Sequence, residues 1–129
     1  MTLDLTEQWW AAADQRHLLV QCCDACGHHQ HYPRTVCTAC GADTPSWVVA
    51  SGAGVVDSFT VVHRAPGPGI AVPYVVARVR LAEGPVVLTH LVDAPADSWR
   101  CDEAVQLDWR PRGEDGWLPV FRRIEQTGT

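Results

Sequence analysis

Two repeats of one cysteine spacing are the residues in this chain best suited to chemistry: Cys23-x-x-Cys26 and Cys37-x-x-Cys40, each followed directly by glycine, at Gly27 and Gly41. Two thiolates so close in sequence reach a single ion only where the chain turns tightly and aims successive backbone amides at the sulfurs, and the glycine permits the positive φ that closes such a turn. Four thiolates suit tetrahedral zinc, and a closed shell of this kind leaves no open position for a substrate or a water. The expected cofactor is therefore one structural zinc held by Cys23, Cys26, Cys37 and Cys40. Cys22 competes with Cys23 for the first position, but only Cys23 reproduces the spacing of the second pair, so Cys22 reads as a bystander. Five of the six cysteines lie between Cys22 and Cys40 while Cys101 stands alone, and the start Met1-Thr2-Leu3-Asp4 has no export-signal character. Metal is favoured over a disulfide framework on both grounds. His28, His29 and His31 read as solvated loop histidines, with substitution as ligands the alternative. Cys101 reads as a small buried hydrophobe.

Outside the cysteines the chain offers little for catalysis. No serine sits in a nucleophile-elbow motif, the phosphate-binding loop pattern is absent, and no nucleophile has a credible base, so the chain alone is expected to catalyse nothing. His63 and His90 fall in predicted strands as barrel histidines. His63 is followed by Arg64-Ala65-Pro66-Gly67-Pro68-Gly69, which reads either as a functional loop or as an ordinary connection. Of the six tryptophans, Trp47, Trp109 and Trp117 fall at strand positions where burial is expected. Trp9 and Trp10 are adjacent on a predicted helix and diverge by about 100°, so either one ring meets another chain or helix and ribbon bury both. The formal charge is −5, and all ten basic residues are arginine. That balance opposes a groove that tracks phosphates and leaves single-stranded nucleic-acid binding as the alternative function.

The elements that position these residues follow from patterning. A length of 129 residues with 47% apolar and 19% charged content suits one compact domain, or one small domain with an appended module. Asp4 and Glu7 form a candidate capping box, and Leu5, Trp9, Trp10 and Ala13 recur at helical spacing up to about Arg16. Residues 1–19 are read as an N-terminal helix region, 20–46 as the ribbon, 47–124 as a barrel and 125–129 as a tail. Five strands are expected: Val48 to His63, bent or bulged at Ser51-Gly52-Ala53-Gly54; Pro73 to Leu81; Pro85 to Val92 after the turn Glu83-Gly84; Ala104 to Arg110; and Gly116 to Ile124 after the polar turn Arg112 to Asp115. The fold class is mainly β: a short helix, a four-cysteine zinc ribbon and a five-stranded barrel of the OB type, with a small open sandwich as the rival. No window approaches the roughly 18 unbroken apolar residues of a membrane span, and the expected location is cytoplasmic with no membrane partner.

In their order along the chain, Trp9-Trp10-Ala11-Ala12, Leu18-Leu19-Val20-Gln21, Cys23-x-x-Cys26-Gly27, Tyr32-Pro33-Arg34, Cys37-x-x-Cys40-Gly41 and Trp47 resemble the ribbon half of the family known as domain of unknown function thirty-five, or DUF35. Ser51-Gly52-x-Gly54-x-Val56, Thr60-Val61-Val62-His63, Pro73-Tyr74-Val75-Val76-Ala77, Glu83-Gly84 and Leu118-Pro119-x-Phe121 resemble its OB-fold half. The chain departs from the pattern at Arg100-Cys101-Asp102, where the family carries a glycine turn. The resemblance implies a non-catalytic accessory subunit of a thiolase-like enzyme, an acyl-CoA aldolase or retro-aldolase, thiolase or acyltransferase. Steroid side-chain degradation is one setting of such complexes, and the acyl-CoA lies at or near the interface. Trp9, Trp10, His63, Arg64 and Tyr74 are the candidate contacts with that partner or its acyl-CoA.

Overall fold

A computed structural model describes residues 5–43, 45–112, 114 and 116–124, with Arg112 placed in its backbone only. Asp4 of the expected capping box, residues 113 and 115 of the polar turn, and the 125–129 tail lie outside the described residues. The chain opens on helix α1, Leu5–Asp14. It stops where Arg16 takes a left-handed conformation at φ 61°, and the His17 amide donates back to the Ala12 carbonyl at 2.9 Å. Ala13, with no exposed surface, is the residue of α1 that is fully buried.

Three short strands build the ribbon: β1 (Leu19–Cys22), β2 (His29–Gln30) and β3 (Ser46–Val49). They form one antiparallel sheet in the order β2-β1-β3. Cys22 opposite His29 closes the hairpin around the first cysteine pair, and Leu19 opposite Val49 fixes the other edge. The remaining strands are β4 (Ala53–Val62), β5 (Tyr74–Leu81), β6 (Val86–Val92), β7 (Ala104–Arg112) and β8 (Gly116–Arg123). They close into a barrel in the order β4-β5-β6-β8-β7, with β7 returning to β4. Five strands in this order, with a parallel β6–β8 pair at Leu91–Phe121 and Val92–Arg122, make an OB-type barrel.

Strict alternation puts Val75, Ala77, Val79 and Leu81 of β5 inside, where they pack with Val56, Val87, Leu91, Val105 and Phe121. Leu18, Val20 and Ala50 belong to the same buried cluster, so ribbon and barrel share one core.

The expected single strand from Val48 to His63 is instead two strands in two sheets. The chain leaves the ribbon at Val49, crosses through Ala50 to Gly52 and enters the barrel at Ala53. At the crossing the Ala50 amide bonds the Leu18 carbonyl at 2.8 Å, and the Leu107 amide bonds the Gly52 carbonyl at 2.8 Å. Two glycines are required here. Gly52 has φ 92°, and a Cβ at Gly54 would lie 2.7 Å from Val79 Cγ1 and 2.9 Å from the Arg80 carbonyl oxygen. The bulge lies further on, between Val56 and Ser58, where Asp57 pairs with Arg80 at 2.6 Å. β4 also ends one residue before His63, which is exposed at the start of the loop and is not a barrel histidine.

Cys101 is exposed, contrary to the expectation of burial. It precedes Asp102, which takes a left-handed conformation at φ 65°, at the place where the resemblance implied a glycine turn. The Asp102 amide then bonds the Val56 carbonyl at 2.7 Å and starts the β7–β4 seam. The buried tryptophan is Trp99, 4% exposed, beneath the Arg123 guanidinium. Trp47, Trp109 and Trp117 are only half-buried.

Candidate functional site

The two cysteine turns are near copies of each other. The Gly27 amide bonds the Cys23 carbonyl at 2.8 Å and the Gly41 amide bonds the Cys37 carbonyl at 2.9 Å. Gly27 and Gly41 have φ of 79° and 80°. The turns bring the four sulfurs of Cys23, Cys26, Cys37 and Cys40 within 4.8 Å of one another. Cys23 and Cys40 sulfurs are 3.6 Å apart, and those of Cys26 and Cys37 are 3.7 Å apart. A tetrahedral ion with metal–sulfur bonds of about 2.3 Å separates its ligands by roughly 3.8 Å, so the sulfur set fits a four-coordinate metal.

Electrostatics points the same way. Amides of Cys40 and Ala39 pull the Cys37 thiol down to about 6. At Cys26 the His28 amide favours the thiolate, but desolvation and the three neighbouring sulfurs outweigh it and push the thiol up to about 12. A cluster this tight cannot hold four negative charges unaided, and a central cation is what allows all four to ionise. Cys22 stands aside, its sulfur turned to the carbonyls of Cys23 and Gly27 at 4.0 and 3.9 Å.

Behind the sulfurs lies a pair of side chains that sequence reasoning missed. Gln21 and Gln30 are 1% and 5% exposed and bond to each other at 2.8 Å, Gln30 donating. Gln30 also donates to the Val36 carbonyl at 3.1 Å and accepts from the Thr38 amide at 2.9 Å. Gln21 accepts from the Arg34 amide at 2.8 Å and donates to the Arg34 carbonyl at 2.9 Å. These two amides hold the irregular stretch between the cysteine pairs, whose backbone groups have no ladder to join. The available signal was a glutamine at an inward strand position, repeated on the partner strand.

The stretch held in this way forms one wall of a groove of about 670 Å³. Thr6, Trp9 and Trp10 of α1 form a second wall, and the barrel forms the floor: Tyr74 and Val76 of β5, Leu88, Thr89 and His90 of β6, and Leu118 and Pro119 of β8. Trp9 and Trp10 meet edge to face at 4.7 Å between ring centroids. Trp9 donates its indole N–H to the Leu19 carbonyl at 3.1 Å, which orients it between helix and ribbon. His31 lies 5.9 Å from Trp9 and 4.3 Å from Tyr32, ring to ring. Burial pushes its imidazole down to about 4, so His31 is a neutral packing residue and not the solvated loop histidine expected. Tyr74 lies against His90 at 5.4 Å. At the floor the β6–β8 ladder has ended, and the link there is the Thr89 hydroxyl donating to the Pro119 carbonyl at 3.0 Å.

The structure thus brings Trp9, Trp10 and Tyr74 to one groove. His63 and Arg64 are exposed on the following loop and do not line it.

A ribbon of rubredoxin type fused to a five-stranded OB barrel is the architecture that two family descriptions match. Residues 10–46 match the rubredoxin-like zinc ribbon domain of ChsH2, and residues 47–110 match the C-terminal OB-fold domain of ChsH2. A DUF35 domain-containing scaffold protein of Methanocaldococcus jannaschii is 30% identical over 110 residues, which are 83% of this chain and 78% of that protein. This chain belongs to the DUF35 family. It is also similar to a chain in the solved structure of the Ltp2-ChsH2(DUF35) aldolase, with 38% identity, a TM-score of 0.86, and 95% of this chain and 96% of that one covered. A probable enoyl-CoA hydratase alpha subunit of Thermomonospora curvata is 41% identical over 114 residues, 88% of this chain, which spans only 36% of that protein's length. No described helix is long and apolar enough to cross a membrane.

Proposed function

We propose that this chain is a non-catalytic accessory subunit that binds a thiolase-like enzyme and helps form or stabilise that enzyme's acyl-CoA site. The observation that supports it best is the near end-to-end likeness to a chain of the Ltp2-ChsH2(DUF35) aldolase. The partner's chemistry in this reading is carbon–carbon bond formation or cleavage, or acyl transfer, on a coenzyme A thioester; steroid side-chain degradation is one such setting.

Within that assembly the four-cysteine site holds zinc, and its role is structural because all four positions are taken by protein sulfur. When bound, the ion neutralises the thiolates. The chain's own residues do the rest: the glutamine pair holds the stretch from Arg34 to Thr38 in place, Trp9 and Trp10 offer ring surface to the partner, and Tyr74 carries that surface onto the barrel. The loop beginning at His63 and Arg64 stands clear of the groove and reaches toward the acyl-CoA mouth of the partner. A charge of −5 spread over a chain without lysine gives no support to the nucleic-acid alternative.

Co-expression with a thiolase-like protein encoded beside this chain, followed by gel filtration and an activity assay, tests the reading. Co-elution with raised activity or solubility of the enzyme is expected, and the isolated chain should turn over no acyl-CoA. Separate elution with the enzyme equally active alone, or turnover by the purified chain, overturns it.

A further inference from the structure

The lining of the aromatic groove is uneven in charge. In a chain with 15 acidic residues, none of the described residues around this 670 Å³ groove is an aspartate or glutamate. Arg34 is its one permanently charged group, and among the described residues the Arg34 guanidinium has no ion-pair partner. Arg80, Arg110, Arg122 and Arg123 are each paired with a carboxylate, while Arg64, Arg78 and Arg100 are exposed and unpaired among the described residues but lie outside the groove. Two of the largest exposed apolar side chains also border it: Tyr32, 54% exposed, on the ribbon wall, and Leu88, 62% exposed, on the barrel floor. Large exposed apolar residues gathered at one concavity mark an interaction site, and an unpaired guanidinium beside them selects a carboxylate.

We propose that this groove receives an extended segment of the partner enzyme, whose apolar side chains lie between the ring wall and the barrel floor and whose carboxylate pairs with Arg34. The occupant is a protein segment and not a nucleic acid, because tracking a phosphate backbone takes a row of cations and the groove presents one. The proposal rests on the accessory-subunit reading and adds to it the docking surface and the chemistry of what docks. Gln21 clamps the backbone of Arg34 while the side chain remains exposed, so the charge is held at a fixed place beside the apolar surface.

The test uses the full chain and the co-expressed thiolase-like enzyme. Arg34→Glu and Leu88→Asp alter exposed side chains, so thermal unfolding and metal content should match the unaltered chain. Each should weaken association, measured by titration calorimetry, by about tenfold or more, as loss of a partly desolvated charge or apolar contact does. Arg34→Lys should retain most of the affinity. Arg100→Glu, exposed and outside the groove, should leave it unchanged. Raising the salt concentration should weaken the unaltered complex more than the Arg34→Glu one.

Association that survives Arg34→Glu and Leu88→Asp unchanged overturns the groove assignment and leaves the accessory-subunit reading standing. Failure of the unaltered chain to associate overturns both. Self-association of the chain that Arg34→Glu abolishes, or oligothymidine binding that it abolishes, overturns the stated occupant.

Discussion

Ribbon and barrel bury different chemistry. Inside the barrel the buried side chains are chiefly hydrocarbon: Val56, Val75, Val79, Leu81, Val87, Leu91, Val105 and Phe121. In the ribbon Val20 has two buried amides, Gln21 and Gln30, and two buried thiols, Cys23 and Cys37, as its companions. The barrel gains its stability from apolar area removed from water, and its strands satisfy one another's backbones around a nearly closed circuit. The ribbon has a two-residue β2 and a long irregular stretch, so it depends on side-chain hydrogen bonds and on an ion that draws four sulfurs together. Both hold the groove: one supplies the floor, the other a wall. The groove is therefore only as ordered as the less hydrophobic half.

The largest test of this contrast is metal removal. Elemental analysis should show one zinc per chain, lost in Cys23→Ser and kept in Cys22→Ser. In comparable small zinc domains binding contributes on the order of 10 kcal/mol, so chelation should disorder the ribbon. Leu18 and Val20 sit in the common core. The strand signal of the barrel in circular dichroism should consequently melt at a lower temperature as well, and a barrel melt unmoved by chelation would show two independent cores.

Phe121→Ala tests the other half. Its side chain is fully buried, and its loss should cost about 3–5 kcal/mol in denaturant unfolding while zinc content stays at one. Gln30→Leu is a smaller perturbation of the ribbon. It removes the partner of the Thr38 amide and of the Val36 carbonyl and one of the two donors to the Gln21 carboxamide oxygen, which keeps the Arg34 amide, and this should cost about 1–3 kcal/mol. The metal should also exchange faster with a colorimetric chelator. A variant as stable and as slow to exchange as the unaltered chain would show that the amide pair merely fills space.

The remaining test is in pH. His31 is held neutral by burial, with its pKa pushed down to about 4 from an ordinary 6.5. Between these values the unfolded chain binds the proton that the folded chain refuses, so stability is full above about 6.5 and is lost as pH falls toward 4. Melting temperature should decline over that window, and His31→Phe should flatten the decline. An equal slope in both proteins would assign the loss to other groups.

What the residues determined by themselves is local. Paired cysteines with a following glycine can present two thiols to one ion without help from distant residues, because the turn from the first cysteine to the glycine spans only five residues of chain. Alternation in Pro73 to Leu81 and in Ala104 to Arg110 announced strands because side-chain direction reverses at every step. The same local logic failed where long-range pairing decides. Val48 to His63 reads as one strand bent at Ser51-Gly52-Ala53-Gly54, yet its first part pairs with Leu19–Cys22 and its last with Tyr74–Leu81. No pattern within the segment records that change of partner. Cys101 looked apolar and His31 looked polar; the one is exposed beside the left-handed Asp102, and Trp9 covered the other. Trp9, Arg34, Tyr74 and Leu88 are scattered along the chain and meet only because ribbon and barrel share a core. The groove is thus a property of tertiary packing: its walls and floor come from helix, ribbon and barrel, and the distances between them are set by contacts that no stretch of sequence contains.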